Sequence, residues 1–282
     1  MIPVEVTFET GVGTLAGLRT GTPGGVPVLA LHGWLDNAAS FVPLAGHLEG
    51  VDLVMLDLPG HGCSAHLPPG ADYNLMVTLN AVLDVVDGLG WERFGLLGHS
   101  MGAGVASLMA AALPGRVQRL VAIEALGALS EPAQGTAQRL RQGVAAARQL
   151  GARKLRVFTD MAAPVRARMQ ANQLSEASAR LLVERGLRPV QGGQVWNTDP
   201  RLTLPALQRM TEPQVADLVA AIACPTLVVF ADPAQAYLPD ALRRQRAALL
   251  PQGRLVVLPG THHLHMEQPQ AVAAAIAGFL LE

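Results

Sequence analysis

Short apolar runs alternate with longer stretches of helical periodicity along most of this chain. Six of the runs are nearly continuous in Val, Leu and Ile, and strands that are apolar on both faces are typical of a parallel sheet covered by helices. Two earlier segments alternate between polar and apolar positions and predict an antiparallel hairpin. The eight predicted strands cover residues 3–9, 14–19, 26–32, 51–57, 93–98, 119–124, 225–231 and 253–260.

Helical periodicity fills the segments between most of these strands. The predicted helices cover residues 38–48, 75–89, 101–113, 240–250 and 268–281. Regular alternation of strands and helices predicts an α/β protein whose mostly parallel, eight-stranded sheet is flanked by helices on both faces.

One interval, between Glu124 and Pro225, lacks a convincing strand. Residues 128–211 are rich in Arg, Gln and Ala, with helical patterns at 136–150, 164–172 and 175–185. A structureless loop of that length is uncommon inside a compact domain, so we interpret it as a helical insertion after the sixth strand. The predicted organisation is a core of residues 1–127 and 212–282 with a helical cap of residues 128–211. We expect the cap arginines, Arg139 to Arg188, to form a solvated face, with the alternative that one pairs with an acidic substrate group.

Composition narrows the functional classes. The 282 residues carry a formal charge of −1, with 50% hydrophobic and 15% charged residues. A nucleic-acid-binding or polybasic membrane-binding protein usually has a large basic excess, so we expect neither kind of partner. The longest apolar stretches, residues 103–113 and 271–281, are shorter than the ~18–20 residues of a membrane span. Two cysteines and no recognisable signal peptide favour a cytoplasmic location, and nothing predicts an oligomeric state.

The motif Gly98-His99-Ser100-Met101-Gly102 is the strongest chemical signal. It follows an apolar strand and opens a helix, which is the setting of the Gly-x-Ser-x-Gly nucleophile elbow. The serine of such an elbow lies on a strained turn, and small neighbours let strand and helix approach closely. The helix N-terminus adds positive potential for a developing oxyanion. The context weighs against a purely structural turn.

Two further motifs supply partners for Ser100. The segment His32-Gly33-Trp34 ends a strand, so the backbone N–H groups of Trp34 and Met101 are the candidate oxyanion-hole donors. His262 follows the last strand and is the candidate general base.

The neighbours of His262, His263 and His265, raise the alternative of a metal site. No acidic partner motif accompanies the three histidines, so we expect no metal and no other cofactor.

Together these motifs resemble those of the α/β-hydrolase superfamily. The segments LALHGWLDNAASF, DLPGHGCSA, GHSMGAGVA and PGTHHLHMEQP carry the resemblance from residue 28 to residue 269. HGWLDN, WNTDPRL and HHLHMEQP are most similar to the group called serine hydrolase-like proteins.

The resemblance implies an α/β-hydrolase fold with a helical cap inserted after strand 6. It also implies Ser100 as nucleophile, His262 as base, Trp34 and Met101 as oxyanion donors, and a small-molecule acyl substrate such as a carboxylic ester. The same triad on this scaffold serves lactone, thioester and carbon–carbon bond hydrolysis, and a non-catalytic small-molecule-binding protein is a further alternative.

The acid of the triad remains open between two carboxylates. In most members of the superfamily it follows the seventh strand in a Gly-x-x-Asp pattern, but here Ala234 occupies the Asp position and Asp232 lies two residues earlier. Glu124, at the end of the sixth strand, lies where some α/β-hydrolases take their acid. We favour Glu124 over Asp232, because the pattern around Glu124 is similar to that of such hydrolases and Pro233 stiffens the turn after Asp232. A glutamate can also hold the imidazole tautomer.

Other polar residues near these motifs have structural interpretations. We expect Asp57 and His61 to brace the loop after the fourth strand, and Asp36 and Asn37 to cap the following helix. His99 has two open roles, lining the substrate pocket or packing beneath the cap.

Overall fold

The computed structural model describes residues 2–150 and 155–282, and they form ten strands. Met1 and residues 151–154, which the predicted domain ranges include, lie outside the described residues. The strands are β1 (Val4–Thr10), β2 (Gly13–Gly21), β3 (Val26–Leu31), β4 (Val51–Leu56), β5 (Phe94–His99), β6 (Val117–Ile123), β7 (Leu187–Val190), β8 (Gly193–Trp196), β9 (Thr226–Asp232) and β10 (Gly253–Pro259).

Eight of these strands make one sheet in the order β1-β2-β4-β3-β5-β6-β9-β10. β1 and β2 form the predicted antiparallel hairpin, β2 runs antiparallel to β4, and the remaining pairs are parallel. The predicted fold class is therefore confirmed. Because parallel strands end at the same edge, the loops after β3, β5, β6 and β10 meet there.

The helices are α1 (Val42–Ala45), α2 (Leu75–Gly88), α3 (Met101–Ala112), α4 (Thr136–Leu150), α5 (Ala162–Asn172), α6 (Glu176–Gly186), α7 (Glu212–Ala220), α8 (Asp240–Ala247), α9 (Leu264–Glu267) and α10 (Pro269–Leu281). Two apolar clusters cover the two sheet faces, one including α2, α3 and α7 and the other α1 and α10. No helix in the described ranges is long and apolar enough to cross a membrane.

The predicted helix at 38–48 is shorter than expected. A 3₁₀ turn (Ala38–Phe41) leads into the single turn of α1, where Pro43 lies in the first turn. Proline fits the start of a helix and not its interior, because it lacks an N–H group.

The segment of residues 128–211, called the insertion below, contains the three predicted helices as α4, α5 and α6. The expectation that it holds no strand is wrong, because β7 and β8 pair as an antiparallel hairpin. These strands have only four residues each and bury only Val195, so they lack the apolar run that marks the sheet strands. Gly192 and Gly193 turn the chain between them with φ of +85° and +153°.

Candidate active site

Ser100 lies on the turn between β5 and α3 with φ 52° and ψ −117°, outside the conformations that most residues adopt. Gly98 and Gly102 make this turn possible. A Cβ at Gly98 would lie 2.4 Å from the Cα of Ala103, and one at Gly102 would lie 2.0 Å from the carbonyl oxygen of Leu31 in β3. The close approach of strand and helix therefore requires both glycines, as the motif predicts.

A continuous line of hydrogen bonds joins Ser100, His262 and Glu124. Nδ1–H of His262 donates to Oε2 of Glu124 over 2.9 Å, and Nε2 accepts from Oγ of Ser100 over 3.0 Å. A carboxylate can only accept, so Glu124 fixes the imidazole tautomer that leaves Nε2 free to take a proton from the serine.

The conformation of Glu124 is itself fixed by its surroundings. Its φ is 61°, its side chain is buried, and its Oε1 accepts from the backbone N–H of Ala231 at the end of β9. Asp232, the alternative acid, is exposed, and both ring nitrogens of His262 have closer partners. The structure thus brings Glu124, and not Asp232, to the histidine.

The loop after β3 carries the first candidate oxyanion donor. Within residues 2–150 and 155–282, the N–H of Trp34 has no protein acceptor. His32 braces the loop, since its Nδ1–H donates to the carbonyl of Gly33 over 2.7 Å and its Nε2 accepts from the N–H of Leu58. The second donor, Met101, begins α3, where N–H groups lack intrahelical acceptors.

Asp36 does not cap a helix as expected; Asn37 does, accepting from the N–H of Ala39. The Asp36 carboxylate instead accepts from Nε2–H of His263 over 3.2 Å and pairs with Arg168 of α5. Burial alone raises the pKa of Asp36, but the charges of His263 and Arg168 outweigh it and hold that pKa well below its usual value. Asp36 is therefore ionised and ties the loop to the insertion.

His99 is fully buried, which contradicts a role in lining an open pocket. Its Nε2–H donates to the carbonyl of His262 over 2.9 Å, so it supports the backbone of the candidate base from below. Burial, with His265 next to it, lowers the pKa of His99 well below its usual value. We conclude that His99 is a neutral brace.

Among the described residues, Asp36, His99 and His263 are the one cluster that could hold a metal ion, with donor atoms within 4.8 Å of one another. The Asp36 carboxylate already serves Arg168 and His263, and a cation there would compete with the guanidinium. The contacts present are those of a structural brace.

Tyr237 is a site residue that the sequence motifs do not reveal. Its hydroxyl lies 3.3 Å from Nδ1 and 3.4 Å from Nε2 of His262, on the loop after β9. Burial, aided by the charge of Glu124, raises the pKa of Tyr237 to about 12, so the phenol stays protonated. A single tyrosine in an irregular loop carries no sequence signal that would place it there.

Asp57 and His61 do brace the loop after β4. The Asp57 carboxylate accepts from the N–H groups of Ala38 and Cys63, and Nδ1–H of His61 donates to the carbonyl of Pro59. Asp57 also pairs with Arg185 of α6, although burial still raises its pKa.

Comparison with known proteins gives consistent matches. A model of the alpha/beta hydrolase fold matches residues 26–269. A serine hydrolase-like protein from Danio rerio is 33% identical, covering 95% of this chain and 85% of that protein.

Two solved structures are similar over nearly the whole chain. A hypothetical protein from Pseudomonas aeruginosa PAO1 is 41% identical with a TM-score of 0.93, covering 99% of both chains. A thioesterase domain from the curacin biosynthetic pathway is 26% identical with a TM-score of 0.85, covering 97% of this chain and 99% of that one.

Proposed function

Because this chain belongs to the α/β-hydrolase family, we propose that it is a serine hydrolase that cleaves a carboxylic ester or a related acyl compound through an acyl-enzyme. The observation that carries the proposal is the hydrogen-bonded line from Ser100 through His262 to Glu124, with separations of 3.0 and 2.9 Å. Such a line is what activation of a serine hydroxyl requires.

In the first half of the reaction, Nε2 of His262 takes the proton of Ser100 as Oγ attacks the acyl carbon. The N–H groups of Trp34 and Met101 donate to the oxyanion of the tetrahedral intermediate. Glu124 stabilises the imidazolium that forms, and His262 then protonates the departing alcohol.

In the second half, His262 takes a proton from water, and the resulting nucleophile attacks the acyl carbon bonded to Ser100. The acid leaves and Oγ regains its proton. Each oxyanion-hole donor contributes on the order of 3 kcal/mol to such steps, so the rigid loop that holds Trp34 supports turnover.

Thioester hydrolysis is the second candidate. It uses the same residues with a thiol as leaving group, and the 26% identical relative is a thioesterase domain. Fold alone does not separate the two substrates.

A fluorophosphonate probe with mass spectrometry tests the proposal. We expect a covalent adduct on Ser100 of the folded protein, absent in Ser100→Ala and strongly slowed in His262→Ala, followed by turnover of an ester or thioester from a panel. Failure to label folded protein under conditions that label a control esterase contradicts an activated serine.

A further inference from the structure

Charge is unevenly divided between the insertion and the rest of the chain. Residues 128–211 hold 13 of the 21 Arg and Lys residues but five of the 22 Asp and Glu residues. The insertion therefore carries a formal charge of +8, while the remaining residues carry −9. The near-zero net charge conceals a strongly basic segment on an acidic core.

Part of this basic charge fastens the insertion. Arg168 and Arg185 pair with the core carboxylates Asp36 and Asp57, and Arg201 binds core carbonyls and Asp199. Arg180 pairs with Glu176 and lies near Glu184 on its own helix. Six exposed arginines have no carboxylate partner anywhere in the described parts of the chain: Arg141, Arg148, Arg156, Arg166, Arg188 and Arg209.

Two of the six lie on one face of α4, because Arg141 and Arg148 are seven residues apart. Arg209 lines an open cavity of about 430 Å³ between α4 and residues 205–209, together with Gln138 and Gln142. Arg139 also lines it, with its guanidinium fixed by the carbonyls of Pro132 and Gln134, and Glu131 lies on its wall.

The insertion lies directly over the candidate oxyanion loop. Nε1–H of Trp34 donates to the carbonyl of Leu202 over 2.9 Å, and Arg168 donates to the carbonyl of Leu35 over 3.0 Å. The basic segment therefore borders the loop of the candidate oxyanion hole, where its charge attracts anions while the acidic core repels them.

We infer that the substrate is an acyl thioester or ester whose leaving half carries phosphate groups, bound by the arginine surface of the insertion. The inference rests on the proposed hydrolase function. The buried arginines are already bonded to carboxylates or carbonyls, and the unpaired ones are exposed. The anionic groups of such a substrate would therefore bind at the surface of the insertion, and guanidinium groups bind phosphate well.

The chemistry balances without a further reactant. For a thioester, Oγ of Ser100 bonds to the acyl carbon as the carbon–sulfur bond breaks, and the sulfur leaves with the proton held by His262. Water then releases the acid and restores the serine.

Kinetics with a matched pair of substrates test the inference. Hexanoyl-coenzyme A carries phosphates, whereas the N-acetylcysteamine thioester of hexanoate is neutral. We expect kcat/KM for the coenzyme A thioester to fall about tenfold between roughly 20 and 500 mM NaCl, while that of the neutral thioester changes less than about twofold. An equal salt response of both substrates overturns the inference and leaves the hydrolase proposal intact.

A charge-reversal variant tests whether the arginine surface of the insertion causes the preference for the coenzyme A thioester. We expect Arg209→Glu to lower kcat/KM for hexanoyl-coenzyme A about fivefold without affecting the neutral thioester. Arg93→Glu, at an exposed arginine of the core, is the matched control and leaves both values unchanged.

Binding of free coenzyme A to the Ser100→Ala protein gives a readout independent of catalysis. Weaker binding in Ser100→Ala/Arg209→Glu supports the surface, and equal or absent binding overturns it. Failure of the hydrolase proposal would appear separately, as unlabelled Ser100 and no turnover of any ester.

Discussion

At the scale of single residues, the acid of the candidate triad shows how local position and tertiary contact combine. Glu124 directly follows β6 and Asp232 ends β9, so both stand at the edge where His262 lies. The positive φ of Glu124 and the N–H of Ala231 direct its carboxylate to Nδ1 of His262. Sequence position leaves two acids open, and these contacts favour one of them.

Replacement of Glu124 by Gln tests this assignment. The amide oxygen can still accept from Ala231, but the amide N–H facing Nδ1 favours the wrong imidazole tautomer. We expect kcat for an ester substrate to fall on the order of 10³-fold with the fold retained. Asp232→Asn is the matched control and should change kcat less than about twofold. A comparable loss of kcat in Asp232→Asn would contradict the assignment of Glu124 as the acid of the triad.

Tyr237 offers a second test at this scale. Its hydroxyl oxygen faces the ring of His262, where lone pairs stabilise the imidazolium that forms during acylation. Tyr237→Phe keeps the aromatic ring, and we expect kcat to fall about three- to tenfold with little change in KM. Tyr73→Phe removes a hydroxyl bonded to Asp199 instead and should leave kcat unchanged. An effect confined to KM would assign Tyr237 to substrate binding alone.

At the scale of elements, two helices of the insertion are fastened to the core through buried carboxylates. Arg168 of α5 pairs with Asp36, and Arg185 of α6 pairs with Asp57 and with Glu5 of β1. Asp57 also orders the turn after β4, so the loops around the site and the position of the insertion depend on one another.

Arg185→Met measures the strength of this link. The change leaves the buried Asp57 without its cation. We expect the free energy of unfolding, measured by urea titration at pH 7.5, to fall by about 3–5 kcal/mol. Arg180→Met, on the same helix, removes exposed pairs only and should cost less than about 0.5 kcal/mol. Similar losses in the two variants would show that the Arg185–Asp57 pair is not a fastening contact.

At the scale of the whole molecule, local sequence patterns predict the sheet. They do not predict the contacts between segments that are distant in the sequence. Six sheet strands have their own apolar runs, β1 and β2 show polar–apolar alternation, and the serine elbow is a contiguous motif, so all are visible in the sequence. The β7–β8 hairpin has no apolar run, and the pairs of Arg168 and Arg185 join residues more than 120 positions apart. Such contacts depend on how the insertion packs, which no local pattern encodes.

The described part of the chain also contains five buried histidines, and several of them make stability depend on pH. Burial lowers the pKa of His32 to about 4 and of His61 to about 3, and it lowers the pKa values of His99 and His265 as well. Below pH 6.5 the unfolded chain therefore binds more protons than the folded one, and stability falls. Asp57, whose pKa is raised by burial, binds protons more readily in the folded chain and opposes this trend.

His265 is the most suitable residue for testing this pH dependence. It is fully buried, and neither ring nitrogen has a hydrogen-bond partner among the described residues. We expect the wild-type free energy of unfolding to fall between pH 7.5 and pH 5.5, with up to about 1.4 kcal/mol from each such histidine. His265→Leu removes one titrating group, so its stability relative to wild type should rise by about 1 kcal/mol more at pH 5.5 than at pH 7.5. Urea titrations at the two pH values measure this difference, with the exposed His47→Gln as a control that keeps the wild-type slope. A wild-type stability that is flat over this range would mean that the buried histidines gain protons as readily in the folded chain as in the unfolded one.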